Sequence, residues 1–368
     1  MTTHLAWQHA RSVLCVQLGS LGDVLMTAPA LRALKEALPG RTVTLLTSTA
    51  GSRLAPLLGV VDEVLPYDAA WTAPHRVPDA THDWRLLEHL WRRRFDAAVV
   101  FSDALANPVP SVMLAHLANI PLRLAWARGE LHALLSHGVP EPEPTTLARH
   151  DVRRHLDLIS TVGVRATSER LSLTLPPRAR TSGALLLEGV GIDSGQPWAL
   201  VHPGGAGEPQ RYRVAELAEV IHLLGFNLRM PVLLVGGGAD REVADTLRAA
   251  VGPSLRSLVG ELNLSQLAAV TSLASAALTL RTAPSQLAAA VGTPVLRLCA
   301  PSQAHRAPWG VESRLLGLDA SPQLVVRTLA QLHRREEPAS PPTILRTQRN
   351  TIPLYRMQNP DEGPPDRA

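Results

Sequence analysis

Short apolar runs alternate with longer amphipathic ones along most of the 368 residues. This alternation predicts strand-helix-strand units, and strands that are apolar throughout predict parallel sheets covered by helices on both faces. The predicted strands of the first half are 12–18 (SVLCVQL), 42–47 (TVTLLT), 62–67 (DEVLPY), 95–101 (FDAAVVF) and 121–126 (PLRLAW). Those of the second half are 198–205 (WALVHPGG), 231–238 (PVLLVGGG), 276–280 (AALTL) and 294–299 (PVLRLC). We therefore predict an α/β chain with two Rossmann-like, doubly wound domains in tandem.

Prolines and turn-forming residues between the two halves predict the division into domains. We predict an N-terminal domain over 1–178, a linker over 179–196, a C-terminal domain over 197–335 and a tail over 336–368. The tail is rich in proline and holds too little apolar surface to order itself, so we expect it to be mobile. The alternative is that its TILRTQRNTIPLYRM stretch docks on the body.

Composition excludes several classes of protein. No uninterrupted apolar run reaches the ~18 residues of a membrane span, and the N-terminus lacks the pattern of a signal peptide, so we expect a cytoplasmic protein. The net charge is +4, but the arginine clusters are short and lack interleaved aromatic residues. We therefore expect no nucleic-acid partner. An acidic membrane surface or a phosphorylated substrate stays open. Cys15 and Cys299 lie in apolar runs, which predicts buried free thiols.

Four glycine-containing or polar loops follow predicted strands, where doubly wound sheets bind their ligands. They span 19–23, 203–207, 236–240 and 281–286. The first reads G-S-L-G-D and matches neither G-x-G-x-x-G nor the phosphate loop, which argues against a nicotinamide dehydrogenase or a nucleoside triphosphatase. Its Asp23 is either a helix-capping carboxylate or a base that faces a cleft. His202 is interpreted as a packed strand-end residue, because no carboxylate partner is readable nearby. No metal-binding motif is present, so we expect no metal and no cofactor.

The helix that follows the first loop is predicted from TAPALRALKEAL, with Pro29 near its start, where a missing N–H matters least.

Three segments resemble glycosyltransferase family 9, the heptosyltransferase family. Residues 17–39 are similar to the family's opening signature, L-S-S-L-G-D followed by a T-x-P-A-L helix. Residues 201–221 resemble the strand, H-P-G loop and K-R-W-P helix start of the family's donor domain. Residues 258–302 follow the family's donor-binding stretch without a gap. The resemblance covers about 12–335.

The resemblance implies a GT-B fold, with an acceptor domain and a donor domain facing a cleft that closes near Pro176 and Pro177. It also implies an inverting, metal-independent transfer of a heptose-like sugar from a nucleotide diphosphate, typically ADP, to a glycan or lipid-linked hydroxyl. Asp23 would be the general base. The residues expected to shape its loop or contact substrate are Ser20, Gly22, Gly204, Gly205, Gln210, Arg211, Leu262, Arg281, Thr282, Ala283 and Gln286. We expect a monomer, and peripheral contact with the inner membrane face is an open alternative.

The chain departs from the family's donor motif D-T/S-G-x-x-H. The corresponding residues read Arg281-Thr282-Ala283-Pro284-Ser285-Gln286, and the lysine of K-R-W-P falls on Gln210. Two hypotheses follow. In the first, Arg281 and Arg211 supply the positive charge in another geometry, because a guanidinium binds phosphate in a bidentate fashion. Alternatively, the donor site has decayed, and the chain is a binding protein without transferase activity.

Overall fold

Six parallel strands form the sheet of the first half. The computed structural model describes residues 2–72, 80–102, 106–127, 133–141, 149–204, 212–333 and 343–344. The strands of the first sheet are β1 (Ser12–Gln17), β2 (Thr42–Thr47), β3 (Glu63–Pro66), β4 (Ala97–Val100), β5 (Leu122–Ala127) and β6 (His137–Pro140). Their order is β3-β2-β1-β4-β5-β6. The five predicted strands are confirmed. The sixth, with sequence HGVP, was not predicted because it carries no apolar run.

A second parallel sheet repeats this order in the second half. Its strands are β7 (Ala199–His202), β8 (Val232–Leu234), β9 (Arg256–Ser257), β10 (Ala276–Thr279), β11 (Val295–Leu298), β12 (Ser313–Leu316) and β13 (Thr343–Ile344). They are arranged β13-β12-β11-β10-β7-β8-β9. In both sheets the first and fourth strands are neighbours, so β1/β4 and β7/β10 are the points where the strand order reverses. Ligands of doubly wound sheets bind at the carboxyl ends of such strands.

Helices cover both faces of each sheet. Those of the first half are α1 (Thr2–His9), α2 (Leu21–Glu36), α3 (Thr49–Ser52), α4 (Ala55–Leu58), α5 (Ala80–Arg93), α6 (Val109–Leu117) and α7 (Asp151–Ser160). Those of the second half are α8 (Pro177–Gly189), α9 (Val214–Leu228), α10 (Arg241–Val251), α11 (Leu264–Leu273), α12 (Thr282–Val291) and α13 (Pro322–His333).

The position of Pro29 differs from the prediction. Helix α2 begins at Leu21, so Pro29 lies inside it rather than near its start. A proline there removes one intrahelical hydrogen bond. The helix tolerates this loss because almost every residue between Gly22 and Leu34 is buried against neighbouring elements. Tertiary packing therefore overrides the local preference of proline for the first turn.

The stretch predicted as a linker is largely helical. Helix α8 starts at Pro177, where the fixed backbone of proline suits the first helical position, and it packs on α11. Within the predicted tail, β13 pairs in parallel with β12, and the rest of that tail lies outside the described residues. The domain boundaries and the hinge at Pro176 and Pro177 remain predictions.

One apolar core joins the two halves. It combines residues of α2 and α7 from the first half with residues of α8, α11 and α12 from the second. Separate clusters lie under α5 and α6 on the outer face of the first sheet, and under α9, α10 and α13 on the outer face of the second. The shared core brings α2 against α12, and it thereby brings together the carboxyl edges of both sheets. Cys15 and Cys299 are buried and unpaired, as predicted.

A buried guanidinium ties α1 and α2 to the start of β2. Arg41 is almost fully buried and donates to three backbone carbonyls: Nε to Ala10 at 2.8 Å, Nη1 to Leu34 at 2.9 Å and Nη2 to Trp7 at 2.9 Å. Burial lowers the pKa of Arg41. Three carbonyls therefore depend on one side chain for their hydrogen bonds.

We predict that Arg41→Leu lowers the free energy of unfolding by about 3 kcal/mol or more, because it leaves buried carbonyls without donors. Urea-induced unfolding followed by circular dichroism measures the change. Arg11→Leu is the matched control, since Arg11 is an exposed arginine near the same corner and is expected to change stability by less than about 0.5 kcal/mol. Equal effects of the two variants would contradict the role assigned to Arg41.

Candidate functional site

The loop between β1 and α2 is shaped by Asp23. Its Oδ2 accepts hydrogen bonds from the backbone N–H of Ser20 at 2.6 Å and from the Ser20 hydroxyl at 2.7 Å. A Cβ on Gly19 would lie 2.6 Å from the same oxygen, so this position requires glycine. Asp23 thus caps the helix through one oxygen, while its Oδ1 faces the second half of the chain, where Arg306 contacts it. Both interpretations of this carboxylate therefore have a geometric basis.

The loop after β8 has the same local design. Gly237 N–H donates to Asp240 Oδ2 at 2.7 Å, and a Cβ on Gly236 would lie 2.6 Å from that oxygen. Buried Asp240 approaches His202, with 3.7 Å between Oδ2 and Nε2. The prediction that His202 is packed at a strand end is confirmed, but the statement that it has no readable carboxylate partner is wrong. Strands β7 and β8 are neighbours, so the loops that follow them lie side by side. Considering the two loops together could have identified Asp240 as the carboxylate beside His202.

The N-terminus of α12 lies against the N-terminus of α2. A Cβ added to Gly22 would come within 3.1 Å of the Ala283 Cα, so the two helices approach closely because Gly22 has no side chain. Arg281 is the exposed N-cap residue of α12. Thr282 Oγ1 accepts a hydrogen bond from Arg297 Nη2 at 2.8 Å. The structure therefore brings the first and fourth predicted loops together.

Gln286 lies behind this junction and is fully buried. Its Nε2 donates to the carbonyls of Ala307 at 2.8 Å and Arg306 at 3.2 Å. Its amide is therefore engaged in holding the 301–310 segment. Leu262 is half-buried and packs on the shared apolar core. Gly204 has a φ of +75° and donates its N–H to His202 Nδ1 at 3.3 Å, which orients the histidine with Nε2 toward Asp240.

Three predicted contacts cannot be located, because Gly205, Gln210 and Arg211 lie outside the described residues. They remain predictions. Tyr212, which stands where the family has tryptophan, is buried, and its hydroxyl donates to the Ala320 carbonyl at 2.9 Å.

Arg306 was not predicted. It follows β11 at the end of a 3-10 helix, Pro301–Arg306, and its Nη2 contacts Asp23 Oδ1. Its Nε lies 3.0 Å from Oδ2 of Asp151, the first residue of α7, which is 1% exposed. One guanidinium thus bridges two carboxylates of the first half. A fifth loop, the one after β11, also ends at the carboxyl edge of the sheet, and considering it would have pointed to this segment.

Arg297 on β11 is a second cation at the junction. It is fully buried and donates to three neutral oxygens: the Arg306 carbonyl at 2.5 Å, Thr282 Oγ1 at 2.8 Å and Gln303 Oε1 at 2.7 Å. Burial lowers its pKa. Among the described residues, no ion pair with a carboxylate is found for Arg297. Because buried charges are normally paired, this arrangement favours an anionic ligand beside the α12 N-terminus.

Two further contacts join the halves at this point. His150 caps α7, with Nδ1 accepting the Val152 N–H at 3.1 Å, and its Nε2 therefore carries the proton that it donates to the Ala307 carbonyl at 2.8 Å. The indole N–H of Trp309 donates to the Glu169 carbonyl at 2.8 Å.

The arrangement as a whole offers a carboxylate, Asp23, next to cations and a helix N-terminus. Such a site can accept a proton beside a bound anion.

Comparison with known proteins identifies the family of this chain. The sequence model of glycosyltransferase family 9 (heptosyltransferase) matches residues 83–332. The chain belongs to glycosyltransferase family 9. A relative within this family, lipopolysaccharide heptosyltransferase 2 of Salmonella typhimurium, is 26% identical over 302 residues, which cover 78% of this chain and 82% of the relative.

Solved structures resemble most of this family 9 chain. A family 9 glycosyltransferase from Veillonella parvula superposes with a TM-score of 0.75 at 17% identity, covering 88% of this chain and 97% of that one. The ADP-heptose lipopolysaccharide heptosyltransferase II of E. coli gives a TM-score of 0.70 at 20% identity, with 88% and 98% covered. These likenesses confirm the predicted GT-B fold.

Three buried histidines of this family 9 chain have lowered pKa values. Burial lowers the pKa of His150 to about 4, of His155 to about 3 and of His202 to about 4. For His202, Asp240 acts in the opposite direction, and Arg281 lowers the pKa further. His155 lies directly behind Asp23, since its Nδ1 is 3.3 Å from the Thr27 hydroxyl, which donates to the Asp23 carbonyl at 2.8 Å.

We predict that stability falls as pH drops from about 6.5 to about 4. In this window the unfolded chain binds protons on these histidines and the folded chain does not, so each lowers the free energy of unfolding by about 1.4 kcal/mol per pH unit. Urea unfolding at pH 7.5, 6.5, 5.5 and 4.5 measures the slope. His155→Asn should reduce that slope by about 1.4 kcal/mol per pH unit, which is the contribution of one histidine. Stability that stays constant across this range would contradict the prediction.

Proposed function

We propose that the chain is an inverting, metal-independent glycosyltransferase that moves a heptose-like sugar from a nucleotide diphosphate to a hydroxyl of a glycan or glycolipid. The observation that carries this proposal is the juxtaposition of Asp23, after β1, with the N-terminus of α12, after β10. A proton acceptor and an anion-binding helix end thus stand at the facing reversal points of the two sheets. The coarser assignment, to a family of glycosyltransferases, follows from the family match.

In the proposed reaction Asp23 is the general base. The acceptor hydroxyl lies against the Asp23 carboxylate, and its oxygen attacks the anomeric carbon from the side opposite the diphosphate. A new bond between the acceptor oxygen and the carbon forms while the bond from that carbon to the diphosphate oxygen breaks. The proton passes to Asp23, and the electron pair leaves with the diphosphate, so the anomeric configuration inverts.

Positive charge for the leaving diphosphate would come from the protein. Arg297 donates a hydrogen bond to Thr282, Arg281 is the N-cap residue of α12, and the first turn of that helix offers backbone N–H groups. Guanidinium groups form bidentate contacts with phosphate oxygens, which supports the hypothesis that arginines replace the acid, glycine and histidine of the family's donor motif. We propose an ADP-linked donor because the E. coli structure to which the chain is similar is an ADP-heptose heptosyltransferase by its description.

The rival function is a binding protein of family 9 without transferase activity. Gln286 supports it, since this position of the donor motif is buried and its amide is engaged by main-chain carbonyls. Under this alternative the chain would bind a ligand or partner through the same site without turnover. The two candidates are separated by a transfer assay combined with a binding assay.

We predict that Asp23→Asn abolishes sugar transfer, lowering the rate by about 10²-fold or more, while nucleotide binding is retained. Asparagine is preferred to alanine because its side chain can still accept the capping hydrogen bonds, whose loss costs about 1 kcal/mol. The measurement is transfer from ADP-heptose to a lipopolysaccharide-core acceptor. Asp245→Asn, at an exposed position of α10, is the matched control and should leave the rate unchanged.

A thermal-shift screen with ADP, UDP, GDP and CDP accompanies this assay. A nucleotide at about a hundred times its Kd adds roughly 2.7 kcal/mol to the native state and raises the melting temperature. Binding without transfer in the wild-type chain would favour the rival function. Full transfer activity in Asp23→Asn would contradict the assignment of the base.

We also propose that the acceptor half contacts an anionic membrane surface, with the chain acting as a cytoplasmic monomer. Trp84 and Trp91 lie seven residues apart on α5, hence on one face, and are 67% and 56% exposed. Exposed Arg85 and Arg92 lie next to them. Tryptophan favours the lipid-water boundary, and arginine is attracted to anionic headgroups. Within the described residues, no helix is both long and apolar enough to cross a bilayer.

We predict that the double substitution Trp84→Ser with Trp91→Ser lowers binding to vesicles of phosphatidylglycerol and phosphatidylethanolamine by about tenfold or more, because less apolar surface enters the interface. Cosedimentation with the vesicles measures it. Phe226→Ser on α9 is the control, since Phe226 is 78% exposed in the other half of the chain. Equal losses in both variants, or no binding by the wild type, would contradict this surface.

A further inference from the structure

Both oxygens of Asp23 are occupied in this structure. Oδ2 accepts two hydrogen bonds from Ser20, and Oδ1 is in ion-pair contact with Arg306 Nη2. A general base must offer an oxygen within hydrogen-bond distance of the acceptor hydroxyl. The Ser20 contacts form the cap of α2 and belong to the fold. Oδ1 is buried where Arg306 contacts it, so movement of Arg306 is what would open this oxygen to an acceptor hydroxyl.

Arg306 is held so that its far end can move while its main chain stays in place. Its carbonyl accepts hydrogen bonds from Arg297 Nη1 at 2.5 Å and from Gln286 Nε2 at 3.2 Å. Its Nε stands 3.0 Å from the buried carboxylate of Asp151. Rotation about the Cδ–Nε bond moves the terminal nitrogens of the planar guanidinium, while Nε itself stays 3.0 Å from Asp151 Oδ2. The side chain is 20% exposed.

An anion at the α12 N-terminus would lie within reach of that side chain. The guanidinium of Arg297 donates hydrogen bonds to both the Arg306 carbonyl and the Thr282 hydroxyl. Arg306 and Thr282 are therefore neighbours of the same cation. The hydrogen-bond partners found for Arg297 in the described part of the chain are neutral oxygens. A bound diphosphate would give this buried cation its counter-charge, and it would compete with Asp23 for Arg306.

We propose that Arg306 is a positioning residue that locks Asp23 in the donor-free protein and transfers to the donor's diphosphate when the donor binds. This inference rests on the proposed function and extends it to an order of events. The donor frees the base, and only then can the acceptor hydroxyl hydrogen-bond to Asp23. Arg306 stays paired with an anion throughout this exchange. Its guanidinium leaves the Asp23 carboxylate for the diphosphate and keeps its contact with Asp151.

Calorimetric titration with ADP tests this exchange without requiring turnover. In the wild type ADP must draw Arg306 away from Asp23, so Asp23→Asn should tighten ADP binding by about three- to tenfold. Arg306→Gln should weaken ADP binding by about tenfold. The double variant should equal Arg306→Gln, because the gain from Asp23→Asn exists only when Arg306 is present. Asp151 still pairs with Arg306 in Asp23→Asn, so this variant buries no unpaired charge.

Controls separate the exchange from general effects. Adenosine has no phosphate and should bind all variants equally. Arg306→Lys keeps the positive charge, so in this variant Asp23→Asn should still tighten ADP binding, by a smaller factor. Arg180→Gln, an exposed arginine of α8, should leave ADP binding unchanged.

Two results would overturn the inference while the proposed function stands. The first is ADP binding that Asp23→Asn leaves unchanged or weakens. The second is tightening that persists in the double variant, which would indicate simple repulsion between Asp23 and the phosphates. If ADP does not bind the wild type, UDP, GDP and CDP are titrated in its place. If the wild-type chain binds none of the four nucleotides, the result contradicts both the proposed function and this inference.

Discussion

Cationic side chains and helix N-termini gather where the two halves meet, and the rest of the site depends on how their positive charge is balanced. The N-termini of α2, α7 and α12 converge there, and each carries a partial positive charge from its unpaired N–H groups. Arg297 and Arg306 add two full charges. Asp23 and Asp151 place two negative charges against Arg306, and within the described residues no carboxylate is paired with Arg297. The junction is therefore held by carboxylates of one half against cations of the other, and it is suited to receive an anion.

The same contacts serve stability and the candidate site. Helices α2 and α12 share one apolar core, and their closest approach, at Gly22 and Ala283, leaves no room for a Cβ on Gly22. The hydrogen bond from His150 to Ala307 fixes the segment that carries Arg306. Movement of the halves would change the relation of Asp23 to Arg306 directly, because each belongs to a different sheet. Under the proposed function, opening or closing of the junction would therefore change whether Arg306 contacts Asp23.

Two loops of similar local sequence illustrate how the surroundings decide a residue's role. Gly19 and Asp23 after β1 have the same spacing and the same capping geometry as Gly236 and Asp240 after β8. Asp240 lies inside the second half, beside His202. Asp23 lies at the junction and meets Arg306. The main-chain hydrogen bond to the carboxylate is alike in the two loops, whereas the side chain that approaches differs: His202 lies near Oδ2 of Asp240, and Arg306 contacts Oδ1 of Asp23.

The sequence by itself determined the two parallel sheets, most of their strands and the loops at their carboxyl edges, because apolar period and turn chemistry act over a few residues. It also pointed to Asp23, Thr282 and Ala283, which tertiary structure then brought together. It failed at Pro29, where burial outweighs backbone preference. Tertiary structure alone decided the partners: Asp240 for His202, and Arg306 for both Asp23 and Asp151. Those pairs join side chains that are far apart in the chain. The His202–Asp240 pair forms where the loops after β7 and β8 meet, and the contacts of Arg306 form only after the two halves have packed, so neither is encoded by a local pattern.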